Sequence, residues 1–114
     1  MILSLTFTFL AGFMNAVMDV SAFHYSTSVF KNLNPLFWSE TVSAENNQNN
    51  FIGFRNDAWH FAKLIMVLFF VLSTVCFSPI IFFASAAANY LVSFSALFCS
   101  WSLAFNLFYS KILV

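Results

Sequence analysis

Residues 64–110 read LIMVLFFVLSTVCFSPIIFFASAAANYLVSFSALFCSWSLAFNLFYS, without one Asp, Glu, Lys, Arg or His. Water does not host so long an uncharged run as exposed surface, and a soluble domain of 114 residues leaves too much surface open to hide it. A bilayer does host it. The run is long enough for two crossings, because about 20 apolar residues span the hydrocarbon core.

The rest of the chain fits that reading. Hydrophobic residues make up 61% of it and charged residues 7%, where a soluble domain carries roughly a quarter charged residues. The fold class expected is all-α, an integral membrane protein with three transmembrane helices and an interfacial segment after the first. The spans fall at about 2–20, 58–77 and 80–112, inside a single membrane domain over residues 1–114. The third segment is long for one upright crossing, and tilt absorbs the excess. It has no Gly or Pro after Pro79 to turn the chain again. Ser93–Ser95 is the candidate place for a kink.

Residues 1–20 lack the basic start of a secretory signal and read as a retained span. Three crossings place Lys31, Arg55, Lys63 and Lys111 on one flank, with Asp19, Glu40, Glu45 and Asp57. The positive-inside tendency then predicts an amino terminus outside and a cytoplasmic carboxyl terminus.

The connection over residues 21–57 has two parts. Ser21–Trp38 is aromatic and reads as an interfacial segment broken at Asn34–Pro35. Ser39–Asn50 is polar, has nothing to bury, and reads as a mobile exposed turn. Cys76 and Cys99 belong to no CxxC pair. About 1.5 Å of rise per residue separates them too far in depth for a disulfide, so two free thiols are expected.

Two stripes stand out at helical spacing. The first span carries Ser4, Thr8, Ala11, Asn15, Asp19 and Ala22. The third carries Ser85, Asn89, Ser93, Ala96, Ser100 and Ala104. Small residues let helix backbones approach, and Ser or Asn bonds across the contact. Asn15, Asn89, Ser85, Ser93 and Ser100 are therefore helix-packing candidates.

Asp19, His24, Asp57, His60 and Lys63 all fall near one interface. Asp57 and His60 are three apart, so their side chains can meet at a helix start. Asp19 and His24 are five apart and converge only where the helix deforms near Val20 or Ser21. His24, His60, Asp19 and Asp57 are the candidate metal ligands, and an Asp–His pair can also relay protons. The plainer reading makes Asp57 a helix cap and Lys63 a snorkelling anchor. The spacings match no metal signature. The chain has no GxSxG, GxGxxG, P-loop or kinase signature and no lipidation signal, and no cofactor is expected. Zero net charge argues against a nucleic-acid partner.

Several stretches resemble uncharacterised small polytopic membrane proteins of bacteria and their phages. They are Asn15–Asp19, Phe23-His24-Tyr25, Leu33-Asn34-Pro35 with Phe37-Trp38, Asp57–His60 and Phe105–Tyr109. The resemblance implies a polytopic membrane fold and transfers no activity.

Three functions remain open. The first is a non-catalytic subunit or structural element of a membrane assembly, whose partners are the lipid bilayer and other membrane-protein helices, of the same or another chain. The second is a metal-binding or proton-handling site on the Asp/His pairs. The third is an oligomeric pore or carrier lined by Asn15, Asn89 and the serine stripe.

Overall fold

The computed structural model describes residues 1–46, 50–51, 54–55 and 57–114. Helix α1 (Ile2–Phe23) leads into a single 3₁₀ turn (Tyr25–Thr27). Two short helices follow, α2 (Pro35–Trp38) and α3 (Glu40–Asn46). A two-residue bridge then pairs Asn50 with Arg55 and Phe51 with Phe54. Helices α4 (Ala58–Val75) and α5 (Ala86–Leu107) complete the chain, α5 ending in a wider π-type turn over Phe108–Ile112. Three helices are long and apolar enough to cross a membrane: Ile2–Phe23, Ala58–Val75 and Ala86–Ile112.

Helix α1 is the middle element. It packs against both α4 and α5, which touch each other little. The result is a flat layer, 57 × 33 × 16 Å in Cα extents. Burial follows the same order, at 39% of the most apolar window of α1, 17% of that of α4 and 11% of that of α5. The outer helices therefore keep most of their surface free.

Small residues make the central position possible. Ser4, Thr8, Gly12, Ala16 and Val20 recur every fourth residue of α1, and all are buried. At Gly12 the backbone of α5 comes so close that a Cβ would overlap the Trp101 carbonyl oxygen and lie 3.0 Å from Ala104 Cβ. On the α4 side, Ser4 Oγ donates to the Ser73 carbonyl at 3.0 Å, and Thr8 Oγ1 bonds Ser73 Oγ at 2.8 Å. Ser100 Oγ donates to the Leu5 carbonyl at 3.0 Å, tying α5 to the start of α1.

The densest core sits at the other end of the layer. Ala16, Val17, Met18, Val20, Ala62 and Leu113 are buried together there, with Phe30, Trp38 and Trp59 packed around them. Phe30 stacks on Trp38 at 4.3 Å, and Val29 N donates to the Leu113 carbonyl at 2.9 Å. The aromatic segment after α1 thus folds over the bundle end. Its break is local chemistry: Asn34 Oδ1 accepts from Leu36 N at 3.0 Å, and Pro35 opens the next turn.

Three local expectations change. The polar stretch from Ser39 is not an open turn, because residues 40–46 form α3. Ser39 starts it, with Ser43 N bonded to the Ser39 carbonyl and Glu40 in the positive first turn; residues 47–49 of that stretch lie outside the described residues. Helix α5 begins at Ala86 rather than at Ile80, for a reason given below. It also passes Ser93–Ser95 without a break; its irregular turn is at Phe108–Ile112, where Leu113 N reaches back five residues to the Phe108 carbonyl at 2.8 Å. Both cysteines are free thiols.

Gly12→Ala tests the close approach. Alanine favours an isolated helix by about 1 kcal/mol over glycine, yet here it forces α1 and α5 apart. We expect a net loss of roughly 1–3 kcal/mol in reversible unfolding in detergent micelles. A gain in stability contradicts the packing.

Candidate functional site

The best-defined polar site lies at the start of α4. Asp57 caps the helix: its Oδ1 accepts from the His60 backbone N–H at 2.9 Å. The same carboxylate meets His60 Nδ1 at 2.9 Å through Oδ1 and at 3.1 Å through Oδ2. From α3, Ser43 Oγ donates to Oδ2 at 3.2 Å. Asp57 is fully buried, and the His60 side chain is 29% exposed. A buried carboxylate must be met by donors, and these three, with the positive end of α4, meet it.

The site also fixes the imidazole. With Nδ1 turned toward the carboxylate, Nε2 is the nitrogen left for any outside partner. The Trp59 ring stands edge-on to the imidazole at 4.8 Å, and Lys63 Nζ lies 4.7 Å over the Trp59 ring. That is ordinary chemistry for a headgroup-level anchor. Sequence spacing brought Asp57 and His60 together correctly. The Ser43 contact was not legible, because it depends on α3.

The other two candidate ligands stand apart. Asp19 is half-buried and makes no side-chain hydrogen bond or ion pair among the described residues. His24 packs edge-on against Tyr109 at 5.4 Å. Among the described residues, no three His, Cys, Asp or Glu side chains converge as a metal site. His24, His60, Asp19 and Asp57 therefore do not form one cluster there.

The packing candidates divide as well. Ser100 bridges two helices. Ser85 caps α5, accepting from Ala88 N at 3.5 Å. Asn89 and Ser93 hold the turn before α5: Asn89 Oδ1 accepts from Phe82 N and Phe83 N, its Nδ2 donates to the Phe83 carbonyl, and Ser93 Oγ accepts from Ile80 N. Asn15 is half-buried and makes no side-chain hydrogen bond among the described residues.

A second polar row on α5 escaped the sequence reading. Ser95, Cys99, Asn106 and Ser110 are exposed and Ser102 is half-buried. Spacings of four, three, four and four put them on one face. Ser95 Oγ donates to the Leu91 carbonyl and Ser110 Oγ to the Asn106 carbonyl; Asn106 Nδ2 donates to the Ser102 carbonyl at 2.8 Å. Asn106 Oδ1 accepts nothing among the described residues. The signal was present as a helical repeat, but the inner stripe on the same helix masked it. Between α4 and α5, a groove of about 360 Å³ is lined by Thr8, Phe70, Ser73, Thr74, Phe98 and Trp101, among others. The buried Trp101 indole N–H has no acceptor among the described residues.

No protein-family model, curated protein or solved structure matches this chain significantly.

Asp57→Ala tests the capped site. It removes the cap and leaves the Ser43 hydroxyl and the imidazole without their acceptor. The expected cost is about 1–3 kcal/mol, with faster amide exchange in the first turn of α4. Asp19→Ala, measured alongside, loses no bond and is expected to stay within about 0.5 kcal/mol. Equal effects of the two substitutions contradict the assignment.

Proposed function

We propose that this chain is a non-catalytic subunit of a membrane assembly and meets its partner helix through the outer face of α5. The observation that carries this is the row Ser95, Cys99, Ser102, Asn106 and Ser110, on a span without a single ionisable acid, base or histidine between Ala86 and Ser110. Ser95, Ser110 and the Asn106 amide bond within their own helix, which leaves Asn106 Oδ1 as the open acceptor of the row among the described residues. Lipid tails offer it nothing to bond to; a facing helix does, and small residues at the contact let it come close.

The contrast with α4 supports the choice of face. Its outward residues include Leu64, Leu68, Val71 and Val75, all exposed and all apolar. That surface suits lipid. The helix with the least burial is thus the one whose free side carries a polar row, set among exposed apolar residues such as Leu91, Val92 and Leu103.

Within this reading the basic residues Lys31, Arg55, Lys63 and Lys111 face the cytoplasm and the amino terminus lies outside. The Asp57–His60–Ser43 cluster then fastens α3 to α4 at the cytoplasmic rim.

Cys99 supplies a built-in reporter. Protein extracted in mild detergent is expected to run above its 12.9 kDa monomer mass, and oxidation is expected to capture the neighbour through Cys99 but not through Cys76. Asn106→Leu removes one interhelical bond worth about 0.6–2 kcal/mol, weakening association roughly three- to thirtyfold. A lone monomer at every concentration overturns the proposal.

A further inference from the structure

The connection between α4 and α5 is strongly apolar. It runs Phe77-Ser78-Pro79-Ile80-Ile81-Phe82-Phe83-Ala84 before the Ser85 cap. The apolar run continues from α4 into it, yet the backbone is not helical between Ser78 and Ser85. Pro79 explains part of this, since the residue before a proline is pushed out of the helical region. The side chains of α5 explain the rest.

Asn89 acts as a clamp. Its Oδ1 accepts from Phe82 N at 3.1 Å and from Phe83 N at 2.7 Å, and its Nδ2 donates to the Phe83 carbonyl at 2.9 Å. Ser93 Oγ accepts from Ile80 N at 2.8 Å. Phe77 stacks on Phe94 at 5.2 Å, with the ring planes 6° apart. An ordinary exterior loop leaves such backbone groups to water. Here four of them are taken by two side chains of the following helix.

The clamp leaves the large side chains outside. Ile81 is 88% exposed, Phe82 79% and Phe83 45%. In water these would form a bare apolar knob of a kind soluble surfaces avoid. The apolar residues Val75 and Leu91 near the ends of the two flanking helices are exposed as well. At the start of the turn, Ser78 Oγ lies 3.4 Å from the Met1 amino group. The amides of Ile81 and Ala84 have no protein acceptor among the described residues, which keeps this backbone out of the dry hydrocarbon centre.

We propose that Ile81 and Phe82 insert their side chains into the headgroup–acyl boundary of the bilayer. The turn then lies on the membrane instead of standing in water. Asn89 and Ser93 supply the hydrogen bonds that water would otherwise give, and the unsatisfied amides of Ile81 and Ala84 face the headgroups. The partner is lipid.

Site-directed spin labelling of the full chain in phosphatidylcholine–phosphatidylglycerol vesicles tests this. Single labels replace Phe82, Leu68 on the outer face of α4, or Glu45 on α3, each in a Cys76→Ser, Cys99→Ser background. Collisions with oxygen, which partitions into lipid, are compared with those of a water-soluble nickel chelate. A label at Phe82 is expected to favour oxygen at least threefold over the label at Glu45. Nickel collisions at Phe82 matching those at Glu45 overturn the proposal, as does shielding from both reagents, which would mean a protein covers the turn. Water-like collisions at Leu68 as well would instead sink the membrane assignment itself, so the two failures are distinguishable. Asn89→Ala is expected to speed amide exchange at Phe82 and Phe83 at least tenfold; unchanged exchange removes the clamp from the explanation.

Discussion

Hydrocarbon gives a polar group nothing to bond to, and that constraint organises this protein. Each polar side chain within the spans must find a partner in the chain, reach an interface or meet another helix. Ser4, Thr8 and Ser73 solve it among themselves across the α1–α4 contact. Asn89 and Ser93 solve it by holding a turn. Ser100 solves it by bonding the backbone of α1. Among the described residues, the Trp101 indole N–H and Asn106 Oδ1 on α5 are left without a partner.

Helix α5 shows this partition most clearly. With 3.6 residues per turn, three sets of its residues lie about 120° apart, with exposed Leu91, Val92, Leu103 and Leu107 between them. Asn89, Ser93, Ser100 and Ala104 face α1 and the turn. Tyr90, Phe94, Phe98, Trp101 and Phe105 form an aromatic face, along which Trp101 stacks on Phe105 and Phe105 on Tyr109. Ser95, Cys99, Ser102, Asn106 and Ser110 form the third. Small residues bring helices close, Phe98 and Trp101 of the aromatic face line the groove, and the polar row lies on the outer side. A single helix can serve three environments because none of its residues is charged before Lys111.

Much of the architecture was legible in the residues because the relevant signals are local. The uncharged run, the pair Asp57–His60 and the break at Asn34–Pro35 are each read within a few positions. What was missed depends on contacts between distant segments. The stripe on α1 was sought through Asn15 and Asp19, but the face that packs turns through Gly12 and Ala16, because backbone approach and not polarity decides it. The start of α5 was misplaced because Ile80–Phe83 is apolar enough for a span, and nothing local announces that Asn89 will take its amides. Helix α3 was missed because its sequence is polar, and its anchor, Ser43 to Asp57, closes across fourteen residues.

The central claim is that the uncharged carboxyl-terminal two-fifths crosses lipid twice, leaving the charged groups on one flank. The most direct measurement is labelling by a membrane-impermeant thiol reagent in sealed vesicles, with single cysteines replacing Glu45, Leu68 or Val114. Glu45 and Val114 are expected to react from the same side of the membrane, and Leu68 from neither. Reaction of Glu45 and Val114 from opposite sides, or ready labelling at Leu68, contradicts it.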